Sequence, residues 1–214
     1  MCRNKRSVVG VFIKAMVSIF FILTAMVGTL AKIPDEKNVE FGIFIIAGLI
    51  FGLLGDIFLD QKWVYPDDMA KYLYSGFIVF GIGHIFYTSA LFRAANLSLQ
   101  DLIIPVIAGI VVAVGNVVLE KPLKIKFGKF RAIVMIYAVF LTGTLATAAI
   151  IALRTGEISY IVFTGGALLF LISDLILSPM YFGEGKNTPL NFVLNHVTYY
   201  VGQYLIALSV FLMK

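Results

Sequence analysis

Two carboxylates stand out by where they lie. Asp56 and Asp174 sit inside long apolar runs, whereas the other ten acidic residues fall in polar connections or at the edge of an apolar run, as Asp60 does. A charge at the centre of a bilayer costs several kcal/mol on insertion scales, so a carboxyl kept there is a functional candidate by default. Each lies four or five residues from the same end of its run, about 6–8 Å deep at the helical rise, so the two could face one another. The competing reading is that each pairs with a buried Lys, Tyr or Asn and only fixes helix packing. Around them the sequence offers further polar groups in apolar surroundings. Asn195, His196, Tyr199, Tyr200 and Gln203 recur at three- and four-residue spacings that put most of them on one helical stripe. His84 with Tyr87, and Lys14, complete the set. A lone histidine such as His84 serves equally well as a packing residue, and Lys14 could snorkel to the headgroups or hold a phosphate or an Asp. Two carboxyls with Tyr, His, Asn and Gln beside them are equipment for acid–base work on a lipid.

Other chemistries lack their residues. The chain has no Gly-x-Ser-x-Gly turn, no His-Glu-x-x-His helix and no phosphate-binding Gly-rich loop, and its one cysteine, Cys2, lies in the terminal tail. No metal or other cofactor is expected. The elements that must position these groups follow from composition. Of 214 residues 60% are hydrophobic and 14% charged, and mean hydropathy is +0.97, which excludes an ordinary soluble domain and a disordered chain. The +5 net charge comes from basic residues that punctuate apolar runs instead of clustering on a folded face, so nucleic acid is not an expected partner.

A bilayer core about 30 Å thick needs roughly 20 apolar residues per helix. Seven stretches qualify: Val8–Ala31, Phe41–Leu59, Tyr72–Phe92, Leu102–Leu119, Ala132–Leu153, Ile158–Leu177 and Phe192–Met213. The expectation is an all-α, polytopic membrane bundle of about seven spans forming a single membrane-embedded domain over residues 1–214. The basic lead-in Arg3-Asn4-Lys5-Arg6 resembles the start of a signal peptide, but the apolar run behind it is too long and lacks a clear cleavage site, so the first helix is expected to be retained. A cytoplasmic N-terminus puts eleven basic residues in inside segments and five outside, which favours N-in and C-out, and the plasma membrane is the expected location. Pro179 is read as the end of the sixth span, and small residues such as Gly48 and Gly52 as packing positions. The two Asp-bearing segments are similar in pattern, and each precedes a helix with His-x-x-Tyr: His84 with Tyr87, and His196 with Tyr199. That would suit a parallel internal repeat.

Four ordered motifs resemble the YhhN family, also called the TMEM86 or lysoplasmalogenase family. They are Gly52-Leu53-Leu54-Gly55-Asp56-Ile57-Phe58-Leu59, Gly76-Phe77 through Gly83-His84-Ile85-Phe86-Tyr87, Phe170-Leu171-Ile172-Ser173-Asp174-Leu175-Ile176-Leu177, and Thr198-Tyr199-Tyr200-Val201-Gly202-Gln203-Tyr204-Leu205-Ile206. Lys14 looks like the lysine of the family's early Lys-Pro-Leu element, with Ala15 in place of the proline, and members are usually drawn with eight spans where seven are counted here. The resemblance implies hydrolysis of the vinyl ether of a lysoplasmalogen to a fatty aldehyde and glycerophosphoethanolamine or glycerophosphocholine. It makes that lysophospholipid, with membrane lipids, the expected partner. Asp56 and Asp174 then fit an acid and a base around an oxocarbenium ion, as paired carboxyls do in glycosidases. Lys14, His84, Tyr87, Asn195, Tyr199, Tyr200 and Gln203 would bind and orient substrate. Two rival readings use the same groups: a metal-dependent lipid amidase with Asp56, Asp174, His84 and His196 as ligands, and a transporter with the acids as a proton relay.

Overall fold

The computed structural model describes residues 8–214, so the basic lead-in at residues 3–6 and Cys2 lie outside the described residues. Seven α-helices follow one another: α1 (Val8–Leu30), α2 (Glu36–Val64), α3 (Met69–Ala94), α4 (Ile103–Val118), α5 (Arg131–Thr155), α6 (Ile158–Phe182) and α7 (Pro189–Leu212). No strand is formed among the described residues. Local chemistry sets several ends. Asp35 caps α2 by accepting from the Asn38 amide at 3.1 Å, and Thr188 caps α7 from Asn191 at 3.1 Å with Pro189 in the first turn. Gly156 stops α5 at φ +66°, a left-handed conformation that a side chain disfavours.

Six of these helices are long and apolar enough to cross a bilayer. The seventh, α7, has 24 residues, about 36 Å of helix, and its hydropathy is diluted by the Asn, His, Tyr and Gln stripe. Large apolar side chains such as Phe12, Phe20, Ile104 and Val111 are more than 60% exposed on α1 and α4, which suits contact with acyl chains and not with water. The protein is a multi-pass helical membrane protein.

Several boundaries extend beyond the sequence reading, with α2, α3 and α7 starting three to five residues earlier than expected, and two of the differences lie near the polar groups. The helix α2 runs on to Val64, so Asp60 stands within a helix and not at its edge, because backbone hydrogen bonds continue past the end of the apolar run. Likewise α6 passes through Pro179 to Phe182. A proline in the last turn removes one backbone bond, and its own carbonyl accepts from Gly183 at 2.9 Å.

The closest helix pairs are α2 with α3 and α6 with α7. Each closes on a pair of glycines: a Cβ on Gly83 would lie 3.1 Å from the Gly48 carbonyl, and one on Gly202 would lie 2.8 Å from that of Gly166. Helix α1 packs on α2 and α7, and α5 packs on α6 and α3, so two three-helix units face each other with α4 outside, against α5. Their registers match. Gly166 follows Gly48 by the same number of residues as Asp174 follows Asp56, and Gly202 follows Gly83, Tyr137 follows Ser18 and Tyr199 follows Phe80 by one more. The correspondence of His84 with His196 is therefore corrected: in the packed register His84 matches Gln203.

Candidate active site

A cavity of about 800 Å³ opens at the end of the bundle where α1, α5 and α7 begin and α2 and α6 end, lined there by Gly10, Trp63, Phe127, Phe182 and Asn187. Both Asp56 and Asp174 line it, with Lys14, Asn195, Tyr199 and Tyr200. It places His84, Tyr87 and Gln203 outside that lining.

Asp56 is held from two other helices. Its Oδ2 accepts from the Ser18 hydroxyl of α1 at 2.9 Å and from the Tyr199 hydroxyl of α7 at 2.8 Å. Behind this pair runs a chain of buried groups: Gln203 Nε2 donates to the Tyr199 oxygen at 3.2 Å, and the Tyr87 hydroxyl donates to Gln203 Oε1 at 2.9 Å. The glycines of α2 make room for it. A Cβ on Gly52 would come within 2.8 Å of Gln203 Nε2, one on Gly48 within 2.2 Å of the Tyr87 ring, and one on Gly55 within 2.6 Å of Phe80. The residues read as packing positions thus serve the polar network as well as helix contact.

Asp174 has one hydroxyl donor, Tyr137 of α5. Beside it, Asn195 Nδ2 donates to the Ser173 hydroxyl at 2.8 Å and carbonyl at 2.9 Å, fastening α7 to α6 next to the carboxyl. Phe80 and Phe170 stand edge-on to Tyr199, with ring centroids 6.2 and 5.2 Å away, and give this wall an apolar backing. Carboxyls supplied with O–H donors against aromatic walls can give and take protons with little water present.

Lys14 is engaged with Asp60 in a 2.8 Å ion pair, both side chains mostly buried. His84 is 1% exposed, with Nδ1 3.3 Å from the Thr144 hydroxyl and its ring against Phe170, Tyr87 and Tyr137. His196 lines the cavity, but its Nδ1 lies 2.7 Å from the Phe192 carbonyl and its ring lies tilted against that of Phe192, centroids 4.1 Å apart. Among the described residues no three His, Cys, Asp or Glu side chains converge as a ligand set.

Sequence reasoning missed Ser18 and Tyr137, and it left Asp60 out of the site. The signal available for Tyr137 was a phenol inside an apolar run, whose O–H must find a partner in the bilayer. Ser18 carried none, since a serine in a span can bond its own backbone.

Comparison with known proteins agrees with this architecture. The chain matches the family model of the YhhN family over residues 9–210. It is 32% identical over 194 residues to the human (Homo sapiens) protein named lysoplasmalogenase TMEM86A, a match covering 88% of this chain and 71% of the human one. No solved structure matches. With both the family model and the human relative aligned across most of its length, the chain belongs to the YhhN family.

Proposed function

We propose that this protein is a membrane lipid hydrolase that cleaves the vinyl ether of a lysoplasmalogen, releasing a fatty aldehyde and a glycerophosphoethanolamine or glycerophosphocholine. The observation that carries the proposal is the presence of two carboxyls, each supplied with a hydroxyl donor, on the wall of one largely apolar cavity. The name of the human relative points the same way. The chemistry suits the groups. A carboxylic acid protonates the β-carbon of the vinyl ether, leaving an oxocarbenium ion. The second carboxyl takes a proton from the water that adds to it, and the hemiacetal so formed collapses to aldehyde and alcohol. One water is consumed and the proton balance closes between the two carboxyls.

Asp56 and Asp174 fill those roles in the proposal. Tyr199, Tyr137 and Ser18 orient the carboxyls, Asn195 and Tyr200 line the substrate's path, and Gln203, Tyr87 and His84 support the wall from behind. This differs from an assignment of substrate contact to His84, Tyr87 and Gln203, which stand outside the cavity lining. The proposal also takes the chain as one membrane-embedded domain in the plasma membrane, its N-terminus cytoplasmic. A metal-dependent amidase reading would need His84 to join His196 and the two Asp residues, and among the described residues these side chains do not converge as a ligand set.

Hydrolysis by purified protein in heavy water tests the reaction. Proton transfer to carbon predicts a normal solvent isotope effect, one deuterium on the α-carbon of the promptly trapped aldehyde, survival of an ester-linked lysolipid and a rate unchanged by chelation. An unlabelled α-carbon would overturn the protonation step. Loss of activity on chelation, restored by zinc, would turn the assignment to the metal reading.

A further inference from the structure

The cavity's mouth carries a polar wall of different character from its interior. Lys186 and Asn187, in the connection between α6 and α7, line it together with Asn191 in the first turn of α7. Hydrogen bonds fix this connection at both of its ends. Asn191 Nδ2 donates to the Lys186 carbonyl at 2.8 Å, the Thr188 amide donates to the same carbonyl at 2.9 Å, and Lys126 N–H donates to the Phe182 carbonyl at 2.9 Å. Gly185 supplies the left-handed turn at φ +68°. The Lys186 stem passes over Gly183, whose added Cβ would meet Lys186 Cγ at 3.4 Å.

Charge is distributed unevenly along the cavity. Asp56, Asp60 and Asp174 lie on the interior side, and of the lining cations Lys14 is already neutralised by Asp60. Lys186 has no carboxylate partner among the described residues, so an anionic group entering the cavity meets its compensating charge at the mouth and repulsion further in. Asp174 lies eight residues before the end of α6, about 12 Å of helix. That depth separates a headgroup at Lys186 from a reacting bond at the carboxyls, and Val134, Ala138 and Leu141 offer an apolar wall to a single chain.

We propose that Lys186, with Asn187 beside it, holds the phosphodiester of the lysolipid, and that Lys14 instead positions Asp60 beneath the site. The proposal rests on the lysolipid reading above, but its test needs no turnover. Binding of a saturated 1-alkyl lysophospholipid and of the matching 1-alkylglycerol to the purified protein is compared, since neither can be hydrolysed and they differ only in the phosphate headgroup. Lys186→Gln should weaken the lysophospholipid roughly three- to tenfold, the range for a charge-assisted contact in a wet mouth, and leave the alkylglycerol unchanged. Lys186→Arg should retain most of the affinity. Equal affinities of wild type and Lys186→Gln for the lysophospholipid would overturn the proposal, as would a loss selective for that ligand in Lys14→Gln. Inorganic phosphate separates the two sources of the anion. It should bind the wild type far more weakly than the lysophospholipid does, and binding of phosphate as tight as that of the lysophospholipid and lost in Lys186→Gln would assign the site to free phosphate and overturn the lipid assignment.

Discussion

Replacing Tyr199 by Phe removes one hydroxyl from the middle of the buried chain that ends on Asp56 and leaves the ring between Phe80 and Phe170. Two effects follow, of separable size. A hydrogen bond to a charged group contributes about 1.5–3 kcal/mol, so a carboxyl that works only when oriented by Tyr199 should lose about tenfold to a hundredfold in kcat. The second effect is on folding, because Gln203 Nε2 loses its acceptor in a dry place at about 1–3 kcal/mol. Tyr87→Phe is the matched control. It deletes the same atom at the other end of the chain, leaving Gln203 Oε1 short of a donor while the contacts of Asp56 stay in place. Its stability loss should be similar and its kcat within about threefold of wild type. Turnover of lysoplasmalogen in detergent, read beside thermal unfolding, gives both quantities. If Tyr87→Phe lowers turnover as much as Tyr199→Phe at equal stability, the orienting role of the Tyr199 hydroxyl is refuted.

Asp56→Asn and Asp174→Asn should each lower turnover about 10²–10⁴-fold in folded protein, as loss of an acid or base does, while Asp67→Asn and Glu184→Gln at exposed positions change it little. Turnover assays beside size-exclusion profiles check this, and equal damage from the exposed pair would strip the placement of the two Asp residues within apolar helices of functional meaning. Gly166→Ala should destabilise by about 1–3 kcal/mol, because its Cβ would lie 2.7 Å from the Gly202 carbonyl, whereas Gly115→Ala meets nothing within 4 Å and should not lower Tm. Alkaline phosphatase fused after Lys214 should be active, since the basic residues favour an external C-terminus, and a cytoplasmic-type signal there would contradict the orientation.

The helices were readable because burial in a bilayer leaves a one-dimensional trace: Val8–Leu30 and Arg131–Thr155 differ from their apolar runs by a residue or two. Hydropathy marks the bilayer core and not the last hydrogen bond, which is why α2 and α6 outrun their apolar stretches and why Asp60 was placed at an edge. The two membrane carboxyls were legible for the same energetic reason. Their partners were not. That Ser18 serves Asp56 and Tyr137 serves Asp174 depends on which helix faces which, a fact no local pattern holds. The His-x-x-Tyr match misled because it aligned letters, whereas glycine contacts between backbones set the repeat register. Lys14 was open to snorkelling, phosphate or an Asp, and only the packing of α1 on α2 brings it to Asp60.

A cavity whose apolar wall lies among lipid-facing helices and whose mouth carries exposed Lys186 and Asn187 stands across a phase boundary. Under the proposed reaction one amphiphile enters it and two unlike molecules leave. The aldehyde keeps the hydrocarbon chain and dissolves in the bilayer; the glycerophospho-alcohol has no chain and dissolves in water. Their separation draws the reaction forward without a transport step, and the two products differ in their capacity to inhibit. The water-borne product is diluted on release, whereas the aldehyde is concentrated in the small volume of the membrane around the enzyme. Inhibition by product should therefore fall as the amount of lipid or detergent supplied as a sink rises, and should not depend on the volume of buffer.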